Sequence, residues 1–220
     1  MVGKDKYTLF FDLLLVEKMS REARDFGLTV IVGPMFSGKT TELLRLLTRY
    51  KMAGYTVALL KPSIDKRYSE REVVSHDGLK MEALAVEPNY SGLEEALRKL
   101  EDVEVIGIDE LQFFEPDMKI VELILRVSLE KRVFVAALNL DFRGEPWEVV
   151  KELLPRADDV VSLQAVCTYV DPKTGKRCGA PATRTQRLID GKPAPRDAPR
   201  ILIGGRESYE PRCRRHHEIS

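Results

Sequence analysis

The feature that most constrains the fold is a glycine-containing loop between an apolar run and a helical pattern. Residues 33–40 read GPMFSGKT, which fits the pattern G-x-x-x-x-G-K-[ST] at every position. The preceding residues 28–32 are apolar and β-branched, as in a buried parallel strand, and leucines recur at helical spacing over 40–53. A strand, a loop and a helix in this order direct successive backbone N–H groups at one anion. The segment therefore predicts a site for a nucleoside triphosphate.

Strand and helix patterns alternate from this loop to about residue 163. Further strands are predicted at residues 56–60, 103–108, 133–138 and 160–163, the last as a core strand, and helices at 91–100, 116–131 and in a short segment opened by Pro146. Ser91, with Glu94 three residues later, predicts the N-cap of the second helix. The alternation predicts an α/β fold, with a mainly parallel sheet covered by helices on both faces.

Composition narrows the class of protein. The chain has 220 residues, 44% of them hydrophobic, which suits one domain with a core and a small appendage. Its 35 basic and 35 acidic residues cancel, which argues against nucleic acid as a partner because phosphate binding needs clustered basic side chains. No apolar run reaches the roughly 20 residues that cross a bilayer, so no membrane partner is expected. The apolar stretch 7–16 contains Asp12 and lacks a cleavage pattern, so we expect a cytoplasmic protein.

Two carboxylates follow the predicted strand at 103–108. Asp109 is expected to hold Mg²⁺ together with the Thr40 hydroxyl, while Lys39 contacts the β- and γ-phosphates. Glu110 allows two interpretations, because the same position serves to polarise a water for hydrolysis or to accept a proton from an alcohol. The spacing alone does not decide between them.

All three cysteines lie late in the chain, close to two histidines. Cys167 and Cys178 flank five turn-forming residues, so a hairpin is expected to bring their thiols together. Cys213 and His216 have the short spacing that tetrahedral zinc favours, with His217 as a rival for the fourth position. The group predicts a closed structural zinc site, and the alternative is three unrelated buried thiols in a reducing compartment.

The stretch between Cys178 and Cys213 is rich in proline and glycine and is predicted to be one long loop. Loops of that length inside a compact domain are usually functional, and zinc at both ends suits a flap that closes over a substrate. We predict an N-terminal extension at 1–27, a nucleotide-binding domain at 28–163 and a zinc-binding domain at 164–220.

Six segments, in this order, resemble the zinc-containing cellular thymidine kinases, known as type II. They read GPMFSGKTTEL (33–43), KPSIDKRY (61–68), SHDG (75–78), IDELQFF (108–114), ALNLDFRGEPW (137–147) and ESYEPRCRRHH (207–217). The resemblance covers residues 28–217 and implies a RecA-like P-loop domain with a zinc domain that carries a lasso loop. It implies transfer of the γ-phosphoryl group of ATP to the 5′-hydroxyl of thymidine, inhibition by dTTP and a homotetramer.

The resemblance also implies roles for single residues. Glu110 is expected to be the general base and Arg67, beside Asp65, to offset charge on the transferred group. The expected nucleotide-binding positions are Gly33, Pro34, Met35, Phe36, Ser37, Gly38, Lys39, Thr40, Asp109, Glu110, Leu111 and Gln112. The expected nucleoside-binding positions are Met35, Phe113, Leu138, Phe142, Thr185 and Tyr209. The spacing of Cys167 and Cys178 departs from the Cys-x-x-Cys pair that is common in the family.

Two other functions remain open on the sequence. One is a zinc-bearing P-loop ATPase that acts on nucleic acid or a partner protein, which predicts a basic face that the neutral composition does not indicate. The other is a kinase for a different nucleoside, such as deoxyuridine or deoxycytidine. Incubation with ATP, Mg²⁺ and a panel of nucleosides separates all three.

Overall fold

The computed structural model describes residues 26–63, 72–74 and 80–220. The predicted roles of Asp65 and Arg67, and nearly all of the N-terminal extension, lie outside these residues. None of the helices in the described ranges combines the length and hydrophobicity needed to cross a membrane.

A six-stranded parallel sheet forms the centre of the molecule, in the order β5-β2-β6-β7-β1-β8. The strands are β1 (Gly27–Val32), β2 (Val57–Pro62), β3 (Glu72–Val74), β4 (Lys80–Glu82), β5 (Leu84–Val86), β6 (Val105–Ile108), β7 (Arg132–Ala137), β8 (Asp159–Ser162), β9 (Ala165–Val166), β10 (Pro181–Ala182), β11 (Arg184–Ile189), β12 (Lys192–Pro193) and β13 (Tyr209–Arg212). The helices are α1 (Lys39–Met52), α2 (Tyr90–Lys99), α3 (Met118–Ser128) and α4 (Glu148–Leu153). The predicted α/β fold with a mainly parallel sheet is confirmed.

Helices cover both faces of this sheet because alternate residues of each strand point to opposite sides. On β1, Val30 and Val32 join a core cluster with apolar side chains of α2, α3 and α4. Ile31 joins a second cluster with Leu43, Leu44 and Leu47 of α1. Burying a leucine side chain contributes about 2 kcal/mol, so α1 is held mainly by its apolar face.

The two edges of the sheet differ from the sequence prediction. β5 was not predicted, because three residues are too few to show a period. The strand predicted at 160–163 as part of the core is the edge strand β8, and Val160 is 44% exposed there. The prediction of burial for this strand is wrong because only β1 pairs with it among the described residues.

Three helices begin at positions other than those predicted. The prediction of Ser91 as an N-cap is wrong, because Asn89 caps α2 through a side-chain bond to a backbone N–H three residues on. Asp117, rather than Pro116, precedes the first residue of α3 and accepts a backbone hydrogen bond. α4 begins two residues after Pro146. At the starts of α2 and α3, these short polar side chains satisfy N–H groups that a helix start leaves unpaired.

After residue 163 the chain forms small antiparallel units. β9 pairs with β10, and β11 lies between β12 and β13. Asp190 and Gly191, with φ of 51° and 75°, form the tight turn between β11 and β12. The stretch between Cys178 and Cys213 is therefore not one long loop, because it contains this hairpin. Residues 194–208, which have no strand or helix, are called the lasso segment below.

Candidate active site

The loop at residues 33–40, called the phosphate loop below, turns tightly between β1 and α1. Phe36 and Gly38 have left-handed backbone angles, with φ of 65° and 85°, and α1 begins at Lys39. Gly33 has no room for a side chain, since a Cβ atom there would lie 2.5 Å from the carbonyl oxygen of Leu163. This geometry directs the loop and the positive end of α1 toward one space, as an anion site requires.

Polar side chains connect the loop to the end of β6. Lys39 is 9% exposed and its Nζ donates to the carbonyl of Pro34 at 2.8 Å. The Thr40 hydroxyl donates to Asp109 Oδ2 at 3.1 Å. Burial, followed by the charge of Glu110, raises the pKa of the Asp109 carboxyl to about 7. A hydroxyl beside a desolvated carboxylate is a donor set that suits Mg²⁺.

Glu110 follows with an unusual backbone conformation. Its φ and ψ are 53° and 41°, a left-handed conformation that a residue with a Cβ adopts at a cost of about 1 kcal/mol. Its carboxylate accepts a hydrogen bond from Gln112 Nε2, and Gln112 Oε1 accepts one from the backbone N–H of Leu138 at 2.9 Å. Gln112 therefore fixes the Glu110 side chain relative to the end of β7.

A cleft of about 830 Å³, including its open solvent, lies between the phosphate loop and the lasso segment. All six predicted nucleoside-binding residues line it, namely Met35, Phe113, Leu138, Phe142, Thr185 and Tyr209. The predicted nucleotide-binding residues that line the same cleft are Met35, Phe36, Gly38, Lys39, Thr40, Glu110 and Gln112. Gly33, Pro34, Ser37 and Asp109 do not line the cleft but belong to the adjoining loop and strand end, and Leu111 is fully buried in the core.

Several residues that line the cleft were not predicted from the sequence. Trp147 packs edge-to-face against Phe113, with ring centroids 6.5 Å apart. The guanidinium of Arg200 lies 4.3 Å from the centroid of Trp147, and Arg187 lines the wall nearby. Trp147 ends one of the segments that carried the family resemblance, which is a signal that could have identified it. Both arginines lie outside the six segments of the family resemblance, and arginine is a residue type that is usually exposed.

The cysteine and histidine cluster forms as predicted. The backbone N–H of Cys178 donates to Tyr169 O at 2.8 Å, which closes the expected hairpin. The Sγ atoms of Cys167, Cys178 and Cys213 and a ring nitrogen of His216 lie within 4.8 Å of one another. Tetrahedral zinc with bonds of about 2.3 Å separates its ligands by roughly 3.8 Å, so this group could hold zinc.

The structure also distinguishes the two histidines. His216 Nδ1 lies 3.5 Å from Cys213 Sγ, and its ring stacks on Tyr169 with centroids 4.1 Å apart. His217 Nε2 instead lies 2.8 Å from the carbonyl oxygen of Phe142. His216 is therefore placed as the fourth donor, and His217 contacts the cleft wall.

Two of the thiols in this cluster have shifted pKa values. Burial raises the pKa of Cys167. Burial has the same tendency at Cys213, but hydrogen bonds from the backbone at His216 and Arg215 outweigh it and hold the pKa of this thiol below its usual value. Zinc binds the thiolate form, so the backbone here already favours the binding state.

The fold and the site together define a P-loop nucleotide-binding enzyme with an appendage whose three cysteines and one histidine could hold a metal. A model of the thymidine kinase family matches residues 27–217. The chain is 55% identical over 196 residues to the thymidine kinase of Thermococcus kodakarensis, covering 87% of this chain and 94% of that one. It is 50% identical over 192 residues to the thymidine kinase of Pyrobaculum aerophilum, covering 87% and 98%. The chain belongs to the thymidine kinase family and is a transferase, which confirms the family predicted from the sequence.

Similarity to solved structures is much weaker. The replication initiator DnaA bound to AMPPCP and single-stranded DNA is 13% identical with a TM-score of 0.37, covering 75% of this chain. The chain spans about half (48%) of that structure. A match of this size carries no argument about function.

Proposed function

We propose that this chain transfers the γ-phosphoryl group of ATP to the 5′-hydroxyl of thymidine, giving thymidine 5′-monophosphate and ADP for DNA synthesis. The observation that carries the proposal is the single cleft that joins the phosphate loop, Glu110 and an aromatic wall. A triphosphate on the loop and a nucleoside against the wall would meet at the Glu110 carboxylate. Membership of the thymidine kinase family supports this arrangement.

The loop would bind the nucleotide. Backbone N–H groups around Gly38 and the N-terminal end of α1 favour phosphate oxygens, and Lys39 adds a positive charge. Thr40 and Asp109 would hold Mg²⁺, whose charge offsets that of the β- and γ-phosphates. Arg67 is proposed, from the family pattern alone, to stabilise charge on the transferred group.

Glu110 would accept the proton of the attacking hydroxyl. Gln112 holds the carboxylate in place, so the oxygen that receives the proton is fixed before substrate arrives. General base catalysis of this kind contributes about 10²- to 10⁴-fold to a rate.

The apolar and aromatic wall of the cleft would bind thymidine. Phe113, Phe142, Leu138 and Met35 offer apolar surface to the base, and the lasso segment covers this end of the cleft. Tyr209 and the Thr185 hydroxyl lie at the same wall, where Thr185 accepts from the backbone N–H of Met35 at 3.0 Å. Closure by the lasso segment would exclude water and limit hydrolysis of ATP.

Zinc would have a structural role. The four donors leave no open position for a substrate, and they join the hairpin at Cys167 and Cys178 to the end of β13. A zinc ion there would fix both ends of the stretch that carries β11 and the lasso segment.

Two further parts of the proposal come from the family resemblance alone, namely inhibition by dTTP bound across the nucleoside and phosphate sites and assembly as a homotetramer. A cytoplasmic location is proposed from the sequence, because the apolar stretch 7–16 contains Asp12 and lacks a cleavage pattern. Competition of dTTP against thymidine in steady-state kinetics tests the first, and its absence would count against that part.

Glu110→Gln tests the assignment of the base. We expect transfer to thymidine to fall about 10²-fold or more while ATP still binds, because the amide keeps the shape but accepts no proton. The matched control is Glu115→Gln, an exposed glutamate of the same segment, which should keep normal turnover. Near-normal turnover of the Glu110 variant would show that the base is assigned wrongly.

A further inference from the structure

Arg187, on β11, is a buried cation at the wall of the cleft. It is 2% exposed, and among the described residues no carboxylate pairs with it. We propose that Arg187 is a positioning residue that holds the lasso segment closed over the nucleoside end of the cleft. The inference rests on the proposed function, since it names a residue that sets the affinity for the nucleoside.

The guanidinium binds the backbone of the lasso segment directly. Its Nη1 donates to the carbonyl of Pro199, and its Nη2 donates to the carbonyl of Arg200 at 2.9 Å. Backbone carbonyls are the usual partners of an arginine that lacks a carboxylate. Since this segment has no strand or helix, such bonds replace the ladder that would otherwise hold it.

The same guanidinium is also connected to the lasso segment indirectly, through the hydroxyl of Tyr209. Its Nε and Nη2 donate to Tyr209 Oη at 3.1 and 2.6 Å, and that hydroxyl donates to the carbonyl of Leu202 at 2.6 Å. Leu202 lines the cleft and is itself 46% exposed. A chain of hydrogen bonds therefore runs from β11 to the part of the segment that faces the substrate.

Phe142 supplies the fixed support for this arrangement. The guanidinium carbon of Arg187 lies 4.1 Å from the centroid of the Phe142 ring, close enough for a cation–π interaction. Phe142 in turn packs against Ala194 and Ala198 of the lasso segment. Only a planar group can stack on one ring and donate along several directions in its plane, which distinguishes arginine from lysine here.

A purely structural role predicts a different response to substitution. Methionine has a similar length and fills apolar space, but it donates no hydrogen bond. If Arg187 only filled space, Arg187→Met would keep its kinetics. If it holds the lasso segment, the variant folds but loses affinity for thymidine.

The test compares Arg187→Met and Arg187→Lys with Arg196→Met. Arg196 is an exposed arginine of the lasso segment that pairs with Glu145, so its loss is the matched control. We expect the KM for thymidine to rise about tenfold or more in both Arg187 variants, the factor for one lost charged hydrogen bond, with kcat and the KM for ATP changed less than about threefold. The control should keep wild-type values.

Limited proteolysis measures how readily the lasso segment opens, and it requires no substrate. Thermolysin cuts before large aliphatic residues, and Ile201, Leu202 and Ile203 are 45%, 46% and 40% exposed. We expect cleavage there to be about tenfold faster in Arg187→Met than in the wild type or the control. A thymidine KM and a cleavage rate both within about twofold of the wild type would overturn the proposal.

Two other outcomes can be distinguished from a failure of this inference, namely that the proposed function is wrong or that a variant does not fold. If the wild type does not phosphorylate thymidine, the proposed function fails, and thermolysin cleavage alone decides the role of Arg187. If Arg187→Met does not fold, Tyr209→Phe replaces it, because this variant removes only the hydroxyl shared with Leu202. Only cleavage decides there, because Tyr209 itself lines the nucleoside end of the cleft. A similar rise in cleavage supports the proposal, and an unchanged rate contradicts it.

Discussion

At the residue scale, Glu110 depends on a neighbour that performs no chemistry itself. Gln112 is 2% exposed, and its side chain joins the Glu110 carboxylate to the backbone N–H of Leu138 through hydrogen bonds. We expect Gln112→Leu to lower kcat for thymidine phosphorylation about tenfold, because a hydrogen bond to a charged group is lost. Steady-state kinetics measures this, with Gln164→Leu, an exposed glutamine, as the control. An unchanged kcat would show that Gln112 does not position the base.

Asp109 is expected to give the metal-free protein a distinctive pH dependence. Burial and the Glu110 charge raise the pKa of Asp109 from 3.8 to about 7, so the folded state binds more protons than the unfolded state between these values. The group therefore stabilises the protein at low pH, and this contribution is lost as the pH rises toward 7. Asparagine at position 109 does not titrate.

Urea denaturation without Mg²⁺ tests this at the same position. The free energy of unfolding of the wild type, relative to Asp109→Asn, should decrease between about pH 4 and about pH 7. A difference that stays constant or increases with pH would mean that the Asp109 carboxyl is not desolvated as the structure indicates.

At the element scale, the hairpin between Cys167 and Cys178 and the end of β13 contribute little apolar surface of their own. The core cluster here has Ala165, Cys167, Ala182 and Cys213 as its buried members. Small units with few apolar side chains are usually stabilised by a metal or disulfides, and the three cysteines are free thiols in the described structure. Metal is therefore expected to hold these elements together.

Metal analysis and thermal unfolding test that expectation. We expect one zinc per chain, loss of zinc in Cys178→Ser, and a Tm lower by roughly 10 °C, which corresponds to a few kcal/mol for a chain of this size. His217→Gln is the control and should retain zinc, because His217 contacts the Phe142 carbonyl instead of the thiols. Zinc loss in the His217 variant alone would reverse the assignment of the two histidines.

The elements that the sequence predicted best are those with a long apolar pattern next to a loop of defined chemistry. β1 and α1 flank the phosphate loop and were found close to their predicted bounds. β5 was missed because three residues show no period, and the start of α2 was misplaced because two polar residues compete as caps. The local sequence determines the position of a strand or helix only when its apolar pattern is long and no second residue competes for its start.

At the scale of the whole molecule, the cleft combines segments that are far apart in the sequence. The phosphate loop, Glu110 and the cysteine cluster could be predicted because each has its own local pattern. Arg187 could not, because its burial depends on Phe142, Tyr209 and the lasso segment meeting around it. Arg200 was missed for the same reason, whereas Trp147 ends a segment of the family resemblance and could have been identified from it. Residues whose environment is built by distant segments carry no local signature.

The most direct test of the account is the fate of the γ-phosphoryl group. Wild-type protein is incubated with Mg²⁺, γ-labelled ATP and a panel that contains thymidine, deoxyuridine and deoxycytidine. The account predicts label in thymidine 5′-monophosphate, formed in a one-to-one ratio with ADP and faster than in either other product. Label released as inorganic phosphate whether or not nucleoside is present, or transferred preferentially to another nucleoside, would contradict it.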